Sequence, residues 1–219
     1  MIKTITLPVV SVVVTLLMIG AAQAASIAVN GGFETGNFTG WTQFPTGPNQ
    51  SVNPNNPPSD PSSSGDFHAQ INNTVTPSNS LFKQANVGIG IVAPGTPWTV
   101  TFDARGSFGA GGVAFAEFFN ELSGGGTSPC TGCGILGGGP LALDPDPLVW
   151  KTFTFSGVNG VDVSGGVTLQ LGATTGADPN SFANMYYDNV SIEVVPVPAA
   201  VWLFGSALGI LGWLRRRVS

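Results

Sequence analysis

Between residues 25 and 195 the chain consists of short stretches in which apolar and polar residues alternate, and no segment there keeps a helical period. Thr99–Ala104, Lys151–Phe155 and Val167–Leu171 place successive side chains on opposite faces, as strands do. Glycine- and proline-containing turns separate them. This pattern predicts an all-β fold, an antiparallel β-sandwich. The predicted strands cover residues 26–30, 38–44, 65–71, 80–87, 97–105, 112–120, 148–156, 165–172 and 184–195.

Two long stretches lack this alternation and are predicted to be loops. Residues 45–63 hold six prolines among Ser and Asn, which predicts an extended and mobile segment. Residues 122–147 are rich in glycine and contain both cysteines. Loops of this length are commonly functional or disordered, and the sequence does not decide between the two.

The charge of this central region excludes one class of partner. From residue 25 to 195 there are twelve acids and three bases, Lys83, Arg105 and Lys151, a formal charge of −9. Three cations cannot form a basic patch, so binding to nucleic acid by charge attraction is excluded. About 170 residues is also the size of one domain, which argues against a multi-domain enzyme.

The sequence of the N-terminus indicates an export signal. Lys3 precedes an apolar run from Ile5 to Ala22, and the run closes with Ala22-Gln23-Ala24. A basic start, an apolar core and small residues at the exit predict a secretory signal peptide over 1–24, cleaved after Ala24. The alternative is an uncleaved membrane anchor.

The sequence of the C-terminus indicates a membrane-spanning segment. Pro196 and Pro198 precede an apolar run from Val197 to Leu214, and Arg215, Arg216 and Arg217 follow it. Eighteen residues span about 27 Å as a helix, near the lower limit for crossing a bilayer. The arginine cluster places the C-terminus in the cytoplasm, and the signal peptide independently places the central region on the opposite side.

The order of these C-terminal features, with Trp-Leu-Phe-Gly-Ser at 202–206, resembles the PEP-CTERM sorting signal of Gram-negative bacteria. Val197 stands where the motif that names the family has Glu. The resemblance covers 195–217 and makes 196–219 the sorting segment. It implies processing by an exosortase, transient membrane anchoring during export, and a final place at the cell surface or in the biofilm matrix. A plain single-pass anchor is the alternative.

The central region, 25–195, carries a second resemblance. Asn30-Gly31-Gly32-Phe33-Glu34 opens it and Tyr186-Tyr187-Asp188-Asn189-Val190 closes it, with Leu81–Gln84 and Pro94–Ala104 between. These stretches are similar to galactose-binding-like jelly rolls, the fold of many carbohydrate-binding modules. The resemblance implies a jelly-roll sandwich over 26–194 and favours an extracellular polysaccharide as partner, although this fold hosts many functions.

In such jelly rolls the acid after the opening motif and the aspartate of the last strand often meet at a structural calcium ion. The matching positions are Glu34 and Asp188, and Asp66 is a candidate to supplement them. Carboxylates and carbonyls suit calcium, which takes six to eight oxygen ligands. The alternative is that both acids are hydrogen-bonded turn residues. No other cofactor is implied.

Cys130 and Cys133 form a C-x-x-C motif. In an exported chain this spacing predicts a disulfide that staples the tip of the glycine-rich loop. A redox role would need a helix N-terminus or a basic neighbour, and neither is apparent. Zinc would need four ligands, and only one pair is present.

Catalytic motifs are weak in this sequence. His68 is the only histidine, and we interpret it as a surface residue of a strand. No Gly-x-Ser-x-Gly nucleophile motif occurs, and nothing singles out a pair of carboxylates for glycoside hydrolysis. These observations predict a protein that is not an enzyme.

Aromatic residues offer a candidate platform on which a sugar ring could stack. Trp41, Trp98 and Trp150 sit at strand starts, where we expect core residues. Phe118 and Phe119 are neighbours on a strand, so one of them must point outward. The candidate ligand-binding residues are Phe118, Phe119, Asn120, Phe44 and Phe108.

Two functions therefore remain after the sequence analysis. The first is an exported, non-catalytic module that binds polysaccharide. The second is a structural surface or matrix protein without a specific glycan ligand. Exposed aromatic residues arranged on one face would favour the first, and a smooth polar surface would favour the second.

Overall fold

The computed structural model describes residues 25–45, 49–135 and 146–194, which form two antiparallel sheets packed face to face. The strands are β1 Ala25–Ser26, β2 Thr42–Phe44, β3 Gln50–Pro54, β4 Phe67–Asn73, β5 Ser78–Val87, β6 Pro97–Gly109, β7 Val113–Glu121, β8 Thr127–Ser128, β9 Gly134–Ile135, β10 Lys151–Val158, β11 Val167–Thr175 and β12 Phe182–Val194. Sheet 1 has the order β10–β6–β12–β4–β3, with β1 beside β12. Sheet 2 has the order β2–β5–β11–β7–β8, with β9 beside β7.

The predicted all-β sandwich is confirmed for these residues. Among them no helix is long and apolar enough to cross a membrane. The signal peptide over 1–24 with its cleavage site at Ala22 and Ala24, and the sorting segment with Pro196, Pro198 and Arg215–Arg217, lie outside the described residues.

Each of the nine predicted strands overlaps an observed one, but three strands were missed. The largest is β3, Gln50–Pro54, which lies inside the segment predicted to be a mobile loop. It pairs with β4 at the edge of sheet 1. An edge strand tolerates a proline at its end, because that position needs no second hydrogen-bonding neighbour. The short strands β8 and β9 lie in the other predicted loop and pair with β7.

The core fills the space between the sheets with side chains from both. Phe82 of β5 meets Tyr187 of β12 edge to face, with ring centroids 5.6 Å apart. Trp98 of β6 packs on Phe118 of β7 at 4.3 Å. Trp41 and Trp98 are buried, as predicted. The Tyr187 hydroxyl donates a hydrogen bond to the Gly172 carbonyl, which satisfies its polar end inside the core.

A segment of 55–66, which we call the strap, is fastened to the outer side of sheet 1. Asp60 of the strap pairs with the Arg105 guanidinium and lies 3.3 Å from Nε2 of His68. Ser62 Oγ is 3.0 Å from the other ring nitrogen of His68. The Trp150 indole donates to the Pro61 carbonyl at 3.0 Å. The charged groups of this cluster therefore hold an irregular segment in place.

Two sequence predictions are wrong in this cluster. His68 is fully buried rather than a surface residue, because the strap and the ring of Trp150 cover it. Burial lowers the pKa of His68, and the neighbouring Asp60 carboxylate offsets part of that effect. Trp150 is half-buried and lies outside the core, with the Arg105 guanidinium 5.1 Å from its ring centre.

Candidate functional site

The outer side of sheet 2 carries aromatic, amide and charged side chains close together. Phe115, Glu117 and Phe119 alternate along β7 with buried core residues, and all three are half-buried. Residues directly opposite in an antiparallel pair share a face, so the strand register identifies their neighbours on β2, β5 and β11. We call this patch the sheet-2 face. Its members are Thr42, Phe44, Leu81, Lys83, Phe115, Glu117, Phe119, Glu121, Thr168 and Gln170.

The sheet-2 face is organised in rows that run across four strands. One row is apolar and consists of Phe44, Leu81, Gly172 and Phe115. The adjacent row is polar and consists of Thr42, Lys83, Gln170 and Glu117. An apolar strip therefore lies directly beside a strip of hydrogen-bonding groups.

Glycine at position 172 determines where the Phe115 ring lies. A Cβ atom at Gly172 would lie 2.2 Å from Cζ of Phe115, so the far end of that ring occupies the space above the glycine backbone. Side chains normally stand roughly perpendicular to a sheet. The missing side chain on β11 thus lets the Phe115 ring reach across the neighbouring strand.

Glu117 provides the acceptor of the polar row. Its Oε2 accepts a hydrogen bond from the Gln170 amide. Burial raises the pKa of the Glu117 carboxyl group. The carboxylate is therefore partly withdrawn from water, and Phe115 and Phe119, two residues before and after it, lie on the same side of β7.

The other charged groups of the face have local partners. The Lys83 ammonium lies 4.9 Å from the centre of the Phe44 ring, a cation–π distance. Glu121, at the end of β7, accepts a 2.7 Å hydrogen bond from the Thr168 hydroxyl. These contacts hold both side chains close to the sheet.

The structure separates the five sequence-predicted ligand residues. Phe44 and Phe119 belong to the sheet-2 face, and Phe44 is 45 % exposed. Phe118 and Asn120 point into the sandwich and are fully buried, because alternation on β7 turns them away from Phe119. Asn120 donates to Asn159 there. Phe108 lies on sheet 1 and packs against the core.

Four important members of the face were missed by sequence reasoning: Phe115, Glu117, Gln170 and Lys83. The alternation Phe115-x-Glu117-x-Phe119 could have indicated one outward row of β7. No sequence signal could have placed Gln170 and Lys83 beside it, because that depends on the order of strands in the sheet.

Glu34 and Asp188 do come together, near the junction of the strap and β4. The Glu34 carboxylate accepts from the backbone N–H groups of Asp66 and Phe67. Asp188 accepts from the N–H groups of Ser63 and Ser64, each at 3.0 Å. The hydrogen bonds that the two acids accept thus hold the end of the strap in place. The Asp66 side chain is exposed.

Three observations bear on the predicted calcium ion. Asp188 Oδ1 and Glu34 Oε1 both lie 3.8 Å from the place a Cβ would take at Gly32, so the two acids share one small region. Burial, with a further contribution from the Glu34 charge, raises the pKa of Asp188 to about 6. Within the described residues no group of three His, Cys, Asp or Glu is placed to hold a metal. The protein's side chains therefore fit a weak, largely hydrated site at most.

Cys130 and Cys133 are joined by a disulfide at the tip of the glycine-rich loop. Thr131, between them, exchanges two backbone hydrogen bonds with Val158, of 3.0 and 3.1 Å. The disulfide-closed turn is thereby attached to the end of β10 in sheet 1. On its other side Cys133 leads directly into β9, which pairs with β7, so the turn connects β10 of sheet 1 with sheet 2.

No protein-family model matches the sequence, and a search among curated proteins finds no match. Solved structures do match. A carbohydrate-binding module, TmCBM61 in complex with β-1,4-galactotriose, is 17% identical, with 77% of this chain and 97% of that chain covered and a TM-score of 0.50.

Enzymes share the same fold. A cyclase from Fischerella sp. TAU is 16% identical, with 80% of this chain and 99% of that chain covered and a TM-score of 0.59. The tailspike protein 4 enzymatically active domain of Bacteriophage CBA120 is 11% identical over 78% of this chain and 21% of that chain, with a TM-score of 0.55. The chain is therefore a β-sandwich like that of carbohydrate-binding modules, and its function has to be argued from its own residues.

Proposed function

We propose that this protein is an exported, non-catalytic polysaccharide-binding module, and that the sheet-2 face is its binding site. The observation that carries the proposal is the Phe115 ring lying over Gly172 beside the Glu117–Gln170 pair. A sugar ring has an apolar face of C–H groups and a rim of hydroxyls. An aromatic ring next to a carboxylate and an amide offers a partner for each.

The row geometry supports a chain rather than a single sugar. Phe44 and Phe115 stand at opposite ends of a row of four strands. Neighbouring strands are about 4.8 Å apart, so the row extends over roughly 14 Å. That length accommodates several sugar units, with the polar row parallel to them. A polysaccharide matches this shape better than a small ligand.

Binding without hydrolysis is supported by the spacing of the acids. Glu117 and Glu121 are four residues apart on β7, which places their backbones roughly 13 Å from each other along the strand. Glycosidases hold their two carboxylates about 5 to 9.5 Å apart. His68 lies on the other sheet, buried beneath the strap. The sheet-2 face therefore offers contacts for a sugar without a matched catalytic pair.

Export and sorting rest on the terminal sequences alone. The signal peptide, the PEP-CTERM-like segment and the exosortase implied by it remain predictions. They agree with a glycan-binding role, because a polysaccharide outside the cell is within reach of an exported domain. The alternative is a structural matrix protein that carries the same export and sorting signals and binds no glycan.

Glycan binding is tested directly with the purified full-length protein. We expect saturable binding to at least one member of a panel containing β-1,4-galactan, xylan, chitin oligosaccharides and polygalacturonate, together with the host's own extracellular polysaccharide. Isothermal titration calorimetry gives affinity and stoichiometry. Absence of saturable binding across the whole panel contradicts the proposal and leaves the structural alternative.

Calcium binding at Glu34 and Asp188 is a second element of the proposal. A cation between two neighbouring acids would relieve their repulsion, and we expect calcium to raise the melting temperature relative to chelator. At a calcium concentration one hundred times Kd, the free energy of unfolding rises by about 2.7 kcal/mol. Glu34→Gln should abolish the difference, whereas Glu193→Gln, an exposed acid on β12, should retain it. Equal melting temperatures in calcium and chelator would mean that the two acids only anchor the strap.

A further inference from the structure

The sheet-2 face carries an unbalanced negative charge. Its described residues include the two acids Glu117 and Glu121, at the middle and the end of β7, and one base, Lys83. The salt bridges found among the described residues are both made by Asp60, on the other sheet. Neither Glu117 nor Glu121 is therefore paired with a cation in the described part of the chain.

Lys83 does not neutralise Glu117. Gln170 stands between them in the polar row, so the two charged residues are on strands separated by a third. The Lys83 ammonium is turned toward Phe44, at the far end of the neighbouring row. The Gln170 amide donates to Glu117 in its place. An amide supplies a hydrogen bond but no opposite charge, so the carboxylate remains a partly buried anion.

An anion in this setting favours a cation from the ligand. Partial burial reduces the competition from water, and the aromatic residues Phe115 and Phe119, which attract cations as well, occupy the adjacent positions on the same side of β7. The central region as a whole is strongly acidic, with twelve acids against three bases. A polyanionic glycan meets repulsion both at the site and at long range.

We propose that Glu117 makes the sheet-2 face selective for polysaccharides that carry protonated amino sugars, such as glucosamine units with free amines. The inference rests on the proposed glycan-binding function and specifies its substrate class. In this arrangement the apolar face of the sugar stacks on Phe115, and the ammonium group reaches the Glu117 carboxylate. Polysaccharides with uronate groups are disfavoured.

The test compares two oligosaccharides that differ only in N-acetylation, with a uronate oligosaccharide as a third, anionic ligand. Full-length protein is titrated with glucosamine hexamer, with N-acetylglucosamine hexamer and with galacturonic acid hexamer at low salt. We expect the glucosamine hexamer to bind about tenfold more tightly than the acetylated one, the worth of one charge-assisted hydrogen bond. The preference should shrink as salt is raised, because the charges are only partly buried. The uronate should bind most weakly.

Two isosteric variants test whether the preference for the glucosamine hexamer comes from the charge of Glu117. Glu117→Gln should bind both hexosamine oligomers with similar affinity, because it keeps the shape and one acceptor oxygen and loses the charge. Glu193→Gln removes the same charge from sheet 1 and should preserve the tenfold preference. Equal binding of the two hexosamine oligomers to the wild-type protein, or an unchanged preference in Glu117→Gln, overturns the inference while glycan binding stands. Binding of no oligosaccharide overturns the proposed function itself.

Discussion

Phe115→Ala is expected to weaken glycan binding by roughly thirtyfold or more while the protein stays folded. Aromatic anchors at the centre of an interface typically contribute 2 kcal/mol or more, and each 1.4 kcal/mol is a factor of ten in Kd. Phe115 is half-buried on the outer side of the sheet, so its removal opens no cavity in the core. Calorimetric titration and a thermal melt measure the two effects separately.

A matched control exists on the other sheet. Phe182 is 39 % exposed, and its ring lies against Gly109 much as Phe115 lies against Gly172. Phe182→Ala removes an equivalent ring from sheet 1 and should leave affinity within about twofold of wild type, the scale of near-neutral contacts. If both variants lost affinity equally, the loss would reflect a general effect on the sandwich rather than a site on sheet 2.

Gly172→Ala tests whether binding depends on the position of the Phe115 ring and not only on its presence. The backbone of Gly172 is in a conformation that alanine also adopts, so the substitution acts mainly through its methyl group, which overlaps the Phe115 ring. We expect Phe115 to be pushed off the strand and binding to weaken although every ring remains. Wild-type affinity in this variant would show that the ligand does not depend on the placement of the Phe115 ring over Gly172.

The sequence was informative wherever the evidence is local. Alternation along Val167–Leu171 or Lys151–Phe155 depends on one strand only, and those strands were predicted with ends displaced by a few residues. The same alternation on β7 implies that Phe118 and Phe119 face opposite sides, which is observed. Choosing the inner one requires knowing which side meets the other sheet, and a short sequence stretch does not contain that information.

Features that depend on long-range pairing were missed for a physical reason. Gln170 lies beside Glu117 because β11 inserts between β5 and β7, an order that connects residues 53 positions apart. His68 was taken for a surface residue because its cover comes from a proline-rich segment with no strand pattern. In both cases the residues next to it in sequence give no signal, because the neighbours that surround the side chain come from distant parts of the chain.

Asp60→Asn is expected to lower the free energy of unfolding by about 2 kcal/mol, since removing one partner of a partly buried ion pair leaves the charge of Arg105 uncompensated. Arg105 is only 5 % exposed, and its guanidinium lies 4.0 Å from the centre of the Tyr186 ring. His68 is fully buried beside it. Asparagine keeps the size of the side chain and removes only the negative charge. Chemical denaturation of wild type, Asp60→Asn and the exposed control Glu193→Gln measures the difference.

A double-mutant cycle decides whether the charge pair is the cause. Arg105→Met keeps much of the packing against Tyr186 and removes the cation, so it too should destabilise the protein by leaving Asp60 unpaired. If the pair is responsible, Asp60→Asn combined with Arg105→Met loses clearly less stability than the two single losses added together. Additive losses would mean that the strap is held by its other contacts, Trp150 to Pro61 and Ser63 to Asp188. Glycan affinity should be unchanged in the double variant, because the cluster lies on sheet 1 and the proposed binding site on sheet 2.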